Sequence, residues 1–178
     1  MTKAHIMVDL ETLGTAPGSI IRSIGACVFT PTGAEIAERF YVNVTRSSCE
    51  ACGLTADPAT VAWWERQSPE ARARLEIDPA PLGFALEQFT TFWKRNGGGN
   101  LWSHGANFDE VLLSCAYRAA GQRPPWAYWA ARCTRTVYDL AGIKPDRSDG
   151  VHHDALDDAI AQARAVQVAF ARLGLEAA

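Results

Sequence analysis

The chain has 178 residues, with 17 Lys and Arg against 20 Asp and Glu, for a formal net charge of −3. That length suits one domain, residues 1–178, around one substantial core, and 48% apolar with 21% charged residues excludes a disordered, collagen-like or disulfide-built chain. The slight negative balance excludes a global basic field, so any nucleic-acid binding must be local, and no apolar run approaches the roughly 20 residues that cross a bilayer.

The opening MTKAHIMVDLET runs directly into a strand pattern and carries no cationic segment, apolar stretch and cleavage site of a secretion signal. Residues 4–10 suit a buried strand, 19–30 (SIIRSIGACVFT) a second, and Pro31-Thr32-Gly33 a turn. Alternation at Phe40, Val42 and Val44 marks a third strand over 36–44, so the first 44 residues read as a three-stranded meander. Asp57-Pro58 is a helix start with Asp as N-cap, and Val61, Trp64 and Trp63 are candidates for its buried stripe.

A helix over 79–95 follows, with Leu82, Leu86, Phe89 and Trp93 at helical spacing and three glycines at its end. Residues 100–103 form a short strand, 107–120 a helix, and 134–141 another. The polar stretch 144–150 (KPDRSDG) is a loop, expected to order on substrate and metal binding, and 153–173 is a long Ala-rich helix with Leu156, Ile160, Ala163 and Phe170 as its apolar stripe. Strands first and then alternating helices and strands predict one α/β domain with a mixed sheet.

Five cysteines (27, 49, 52, 115 and 133) is an odd count, which in a chain expected to be cytoplasmic argues for reduced thiols. Cys49 and Cys52 form a CxxC, but no second Cys/His pair at zinc-finger spacing accompanies it. Unpaired thiols are therefore the reading here.

Carboxylates carry the chemistry. Asp9 and Glu11 are two apart on the first strand and so project from one face. Two like charges at a buried strand end are costly unless solvated, paired or metal-bound. Asp109 follows the strand of 100–103 and begins a helix, where an acid serves either as a cap or as a carboxylate delivered by a strand end. HHDALDDAIAQA offers His153 with Asp158 five residues on, or His152 with Asp157, and helical periodicity does not choose between them. Asp154, Asp157 and Asp158 also fit as acids favouring a helix N-terminus. Four carboxylates and one His suit hard divalent cations, Mg²⁺ or Mn²⁺. Two such ions about 4 Å apart clamp a scissile phosphodiester, and a His with an ordinary pKa of about 6.5 can take the proton from the attacking water.

Asp9-x-Glu11, Asn107-Phe108-Asp109 and His153-x-Ala155-Leu156-x-Asp158 resemble the three motifs of the DEDDh (DnaQ-like) 3′–5′ exonuclease superfamily. The strings DLETLGTAPGSIIRSIGACVF, TVAWWERQSPEAR and HHDALDDAIAQA resemble the branch of compact phage and bacterial exonucleases and the mycobacterial-type 3′–5′ exoribonuclease, over about residues 5–170. The resemblance implies a ribonuclease H-like fold, with a five-stranded mixed sheet, its first three strands antiparallel, and helices on both faces. It implies that Asp9 bridges two metal ions, that Glu11 and Asp158 complete the site, and that Asp109 holds the second metal directly or through water. It selects His153 over His152 as general base, and Asp158 over Asp157. It places Thr12 and Leu13 on the terminal nucleotide and Asn107 among the substrate contacts. It further implies 3′ ends of single-stranded nucleic acid as substrate, RNA favoured over DNA, and a possible homodimer. Two departures stand out: Cys133 occupies a position where relatives often carry an acid, and Asp154 adds charge beside His153.

Six Trp residues serve packing, an interface or base stacking, and Trp63 and Trp64 as helix neighbours cannot both face one core. Arg22, Arg66, Arg132, Arg135, Lys144 and Arg147 are candidate phosphate contacts. The competing functions are a non-catalytic nucleic-acid-binding domain on the same fold and a phosphodiesterase of small nucleotides.

Overall fold

The computed structural model describes residues 4–144 and 153–176. Arg147, His152 and all of the 144–150 loop except Lys144 therefore lie outside the described residues. A five-stranded sheet runs in the order β3-β2-β1-β4-β5, built from β1 (His5–Thr12), β2 (Ile21–Phe29), β3 (Ile36–Asn43), β4 (Asn100–Ser103) and β5 (Ala131–Cys133). The first three strands are antiparallel, and β1–β4 and β4–β5 are parallel.

Among the described residues seven α-helices accompany the sheet: α1 (Arg46–Ala51), α2 (Pro58–Glu65), α3 (Pro69–Arg74), α4 (Leu82–Arg95), α5 (Asp109–Ala119), α6 (Thr134–Ala141) and α7 (Ala155–Leu173). None among the described residues is long and apolar enough to cross a membrane. Period-2 alternation divides β1 between two cores. Ile6, Val8 and Leu10 face a larger cluster with Leu86, Phe89 and Leu113, whereas Met7 faces a smaller one with Trp102, Ala159 and Val166. Asp9 and Glu11 continue the Met7 side, so both carboxylates lie on the α7 face of the sheet.

Strands β4 and helix α6 have the boundaries that their patterns predict. In α4, Leu82, Leu86, Phe89 and Trp93 are all buried, each worth about 1.5–3 kcal/mol of transfer free energy. Helix α2 starts as expected, with Pro58 at its first position and Asp57 Oδ1 accepting from Ala59 N at 3.0 Å. Its stripe is narrower than expected: Trp64 is buried, but Val61 and Trp63 are only half-buried.

The α7 stripe needs correction. Its buried face is Ala155, Ala159, Gln162, Ala163 and Val166, while Leu156, Ile160 and Phe170 are half-buried. The reason is close approach. A Cβ on Gly25 of β2 would collide with the backbone of Ala155 and Leu156, so only a face of small residues can seat the helix against that strand.

Candidate active site

Strand β1 carries the acids past the end of its pairing with β4, which stops at Met7 opposite Trp102. Leu10, beyond that ladder, donates its amide N–H to Asp109 Oδ1 at 3.2 Å, which draws the first turn of α5 against the strand. A register irregularity between Glu11 and Thr12 ends the regular pairing with β2 beside the acids. A parallel neighbour on one side and an antiparallel one on the other leave a crevice at this end of the sheet.

Helix α7 closes the group from its own face. Glu11, His153 and Asp158 each place a ligand atom within 4.8 Å of the others. Gln162, one turn further along, donates from Nε2 to Asp9 Oδ1 at 2.7 Å. His153 has φ +65°, a left-handed conformation that costs a non-glycine residue about 1–2 kcal/mol and persists only where its surroundings hold it. Its ring meets the Trp63 ring edge-on at 4.8 Å between centroids.

The electrostatics follow from crowding. Burial, and then the charges of Asp109, Glu11 and Asp158, push the Asp9 carboxyl well above the usual carboxylate range, against the opposing Gln162 hydrogen bond. Burial likewise pushes Asp109 up to about 7, although the amides of Leu10, Asp109 and His104 and the charge of Arg135 pull the other way. Asp109 is 1% exposed, and its Oδ2 has no hydrogen-bond partner among the described residues. An orphaned carboxylate oxygen beside mutually repelling acids is what a cation would satisfy, and an all-oxygen set with one imidazole fits Mg²⁺ or Mn²⁺.

A cleft of about 460 Å³ opens onto this group. It is lined by Asp9, Glu11, His153 and Asp158, by Leu10, Thr12 and Phe108, and by Asp57, Thr60 and Trp63 of the α2 region. Trp64 is buried and donates from Nε1 to the Thr12 carbonyl at 2.8 Å, Trp63 is half-buried, and both rings line the cleft.

Of the expected substrate contacts, Thr12 lines the cleft, but Leu13 and Asn107 do not. Leu13 is 5% exposed within the larger core, fixed by Leu13 N donating to Ile20 O and by Asp57 N donating to Leu13 O. Asn107 is exposed on the loop before α5. Among the candidate phosphate contacts, Arg22 is structural, donating to Val44 O, Leu75 O and Glu76. Arg66, Arg132, Arg135 and Lys144 are exposed. Asp154 is the capping acid of α7, Asp157 and Asp158 lie in its first turn as acids that favour a helix N-terminus, and Asp158 also lines the cleft. Cys133 accepts hydrogen bonds from Thr136, Arg135 and Gly105, which pull its thiol below the ordinary value against its burial. All five cysteines are free.

Gln162 and Phe108 are the site residues that pattern reading did not single out, Phe108 being the middle residue of the Asn107-Phe108-Asp109 motif, whereas Trp63 was already a candidate for packing, an interface or base stacking.

Solved structures share this architecture. The nuclease domain of 3'hExo, a DEDDh family member bound to rAMP, superposes with a TM-score of 0.66 at 14% identity, covering 99% of this chain and 96% of that one. E. coli Exonuclease I in complex with a 5cy-dA13 oligonucleotide gives 0.66 at 15% identity, covering 97% of this chain but only 41% of that one. The fold is that of the ribonuclease H-like DEDDh exonucleases. More narrowly, residues 4–170 match the model of the Rv2179c-like 3'-5' exoribonuclease domain, and the chain belongs to that family. No curated protein sequence matches it significantly.

Proposed function

We propose that the chain is a metal-dependent 3′–5′ exonuclease that removes nucleoside 5′-monophosphates from single-stranded 3′ ends, with RNA as the favoured substrate. The observation that carries this reading is the meeting of Glu11, His153 and Asp158 ligand atoms within 4.8 Å in the lining of an open cleft. Membership in a 3'-5' exoribonuclease family supports the direction and the RNA preference.

In this reading Asp9, Glu11, Asp109 and Asp158 would hold two Mg²⁺ or Mn²⁺ ions. When bound, the ions supply charge for the phosphate oxygens and lower the pKa of the attacking water. In this reading an imidazole nitrogen of His153, whose ring lies edge-on to Trp63 in the cleft lining, takes the water's proton. Trp63 and Phe108 border the cleft as apolar surfaces for the terminal base, the contact first expected of Leu13, and Thr12 lies beside them. A non-catalytic binder gains nothing from this acid cluster, which repels phosphate without its cations.

The reading includes a second copy of the chain as partner. Tyr128 and Trp129, 89% and 64% exposed just before the edge strand β5, are its expected contact. It also places the protein in the reducing cytoplasm, in keeping with its free thiols.

The test is incubation of 3′- and 5′-labelled RNA and DNA strands with Mg²⁺, Mn²⁺ or chelator. Mononucleotide release from the 3′ end, faster on RNA and abolished by chelator and by Asp9→Ala, is expected. Release from the 5′ end, or activity indifferent to chelator, would refute it. A dinucleotide cleaved much faster than a long strand would favour the small-nucleotide phosphodiesterase instead.

A further inference from the structure

Asp154 sits between the candidate base and the helix that carries Asp158. It is 2% exposed, and its Oδ1 accepts from the amides of Leu156 at 3.0 Å and Asp157 at 3.2 Å. A capping carboxylate does this equally well in water, and burying one is costly unless its remaining oxygen is paired. The partner is Arg74 at the end of α3, whose Nε donates to Asp154 Oδ2 at 2.6 Å.

Arg74 is itself held from β3. Its guanidinium lies 4.8 Å over the Tyr41 ring. Asn43 Nδ2 donates to the carbonyls of Arg74 at 2.8 Å and Ile77 at 2.7 Å, while Tyr41 Oη donates to Asn43 Oδ1 at 2.8 Å. A continuous set of contacts therefore leads from β3 through Arg74 to Asp154, and none of Tyr41, Asn43 and Arg74 lines the cleft. Asp154 is flanked by His153, in its left-handed conformation, and by Ala155, whose backbone is seated on Gly25. A shift of Asp154 towards water cannot leave His153 in place.

We propose that Arg74 is a positioning residue for hydrolysis: through Asp154 it fixes the first turn of α7 and with it the placement of His153 and Asp158. This rests on the nuclease reading above. Arg74 does not line the cleft, so it acts on turnover and not on substrate affinity.

The test uses the full chain on single-stranded RNA with Mn²⁺. Arg74→Ala is expected to lower kcat about 10- to 100-fold, the usual penalty for a displacement of about 1 Å at a reacting group. KM should change by less than about threefold. Arg74 is 45% exposed in its side chain, so added ethylguanidinium can reach the vacated position and should restore much of the turnover. Asp154→Asn keeps an acceptor for the α7 amides but loses the charge, and should match Arg74→Ala, with the double variant no worse than either. Wild-type kcat in a folded variant, or equal losses in kcat and affinity without rescue, would overturn the assignment while leaving the nuclease reading intact. A wild-type chain that hydrolyses none of the labelled strands would overturn both. Should Arg74→Ala fail to fold, kcat of Asp154→Asn decides by the same criterion.

Discussion

Gln162 on the core face of α7 donates from Nε2 to Asp9 Oδ1 at 2.7 Å, while its own Oε1 is buried without a hydrogen-bond partner among the described residues. The side chain is placed for the carboxylate and not for its own satisfaction. With Gln167 it is one of two polar residues among the buried alanines and Val166 of that helix. Gln162→Met keeps the length and removes both the donor and the orphaned acceptor. Mn²⁺ affinity, read by calorimetric titration, should fall about 10- to 100-fold. The Tm should stay within about 4 °C of wild type, because one lost bond and one removed penalty offset each other.

The raised carboxyls give the metal-free protein a definite pH dependence. Unfolded, Asp109 has the ordinary aspartate pKa near 3.8; burial in the folded chain pushes it up to about 7, and Asp9 is raised in the same direction. The folded chain therefore binds more protons than the unfolded one across that window, and its stability falls as pH rises from about 4 to about 7. In chelator, the Tm should be higher near pH 5 than at pH 8, and Mg²⁺ should restore stability at pH 8.

Asp109→Asn tests the same point from the other side. It should raise the Tm in chelator at pH 8 by several degrees, at about 2–4 °C per kcal/mol, and flatten the pH profile. It should also lower the exonuclease rate by at least about 100-fold. A variant that is less stable in chelator at pH 8 would contradict the electrostatic account.

Gly25 allows α7 to lie on β2, and an added Cβ meets backbone rather than a movable side chain. Gly25→Ala should destabilise by about 1–3 kcal/mol or more, as overpacking does. It should depress turnover in the folded fraction, because the displaced residues, Ala155 and Leu156, separate His153 from Asp158. Circular-dichroism melts and steady-state rates on RNA measure both.

His153→Gly removes the ring but suits the backbone, since glycine adopts φ +65° without penalty. The variant should fold with an unchanged or higher Tm and lose about 10²- to 10⁴-fold in rate, the range for a general base. Retained activity would take the proton-transfer role away from this residue.

The sheet, its acids and the major helices were legible because each rests on a local pattern: alternation at Phe40, Val42 and Val44, the Asp57-Pro58 start, and the helical spacing of Leu82, Leu86, Phe89 and Trp93. Strand β5 was not, since three residues with the burial of Ala131 and Arg132 exposed and Cys133 half-buried leave no alternation to read. Helices α1 and α3, six residues each, are too short for periodicity. The buried face of α7 was misread because Leu156, Ile160 and Phe170 outrank alanine in hydrophobicity, whereas the geometry at Gly25 selects for size. Leu13 belongs to the core for a tertiary reason, its packing below Ile20 and Leu54. Arg74 and Gln162 act through partners 80 and 153 residues away, which no local pattern reveals.

The central claim is that Asp9, Glu11, Asp109 and Asp158 form one cation site with His153 beside it. Its most direct test is the stoichiometry of Mn²⁺ binding, measured by electron paramagnetic resonance on wild type and on Asp9→Asn. Wild type should bind two ions per chain and the variant should lose at least one, with hydrolysis of RNA lost alongside. Wild-type protein that binds no Mn²⁺, or an Asp9→Asn variant that binds two as tightly, would contradict it.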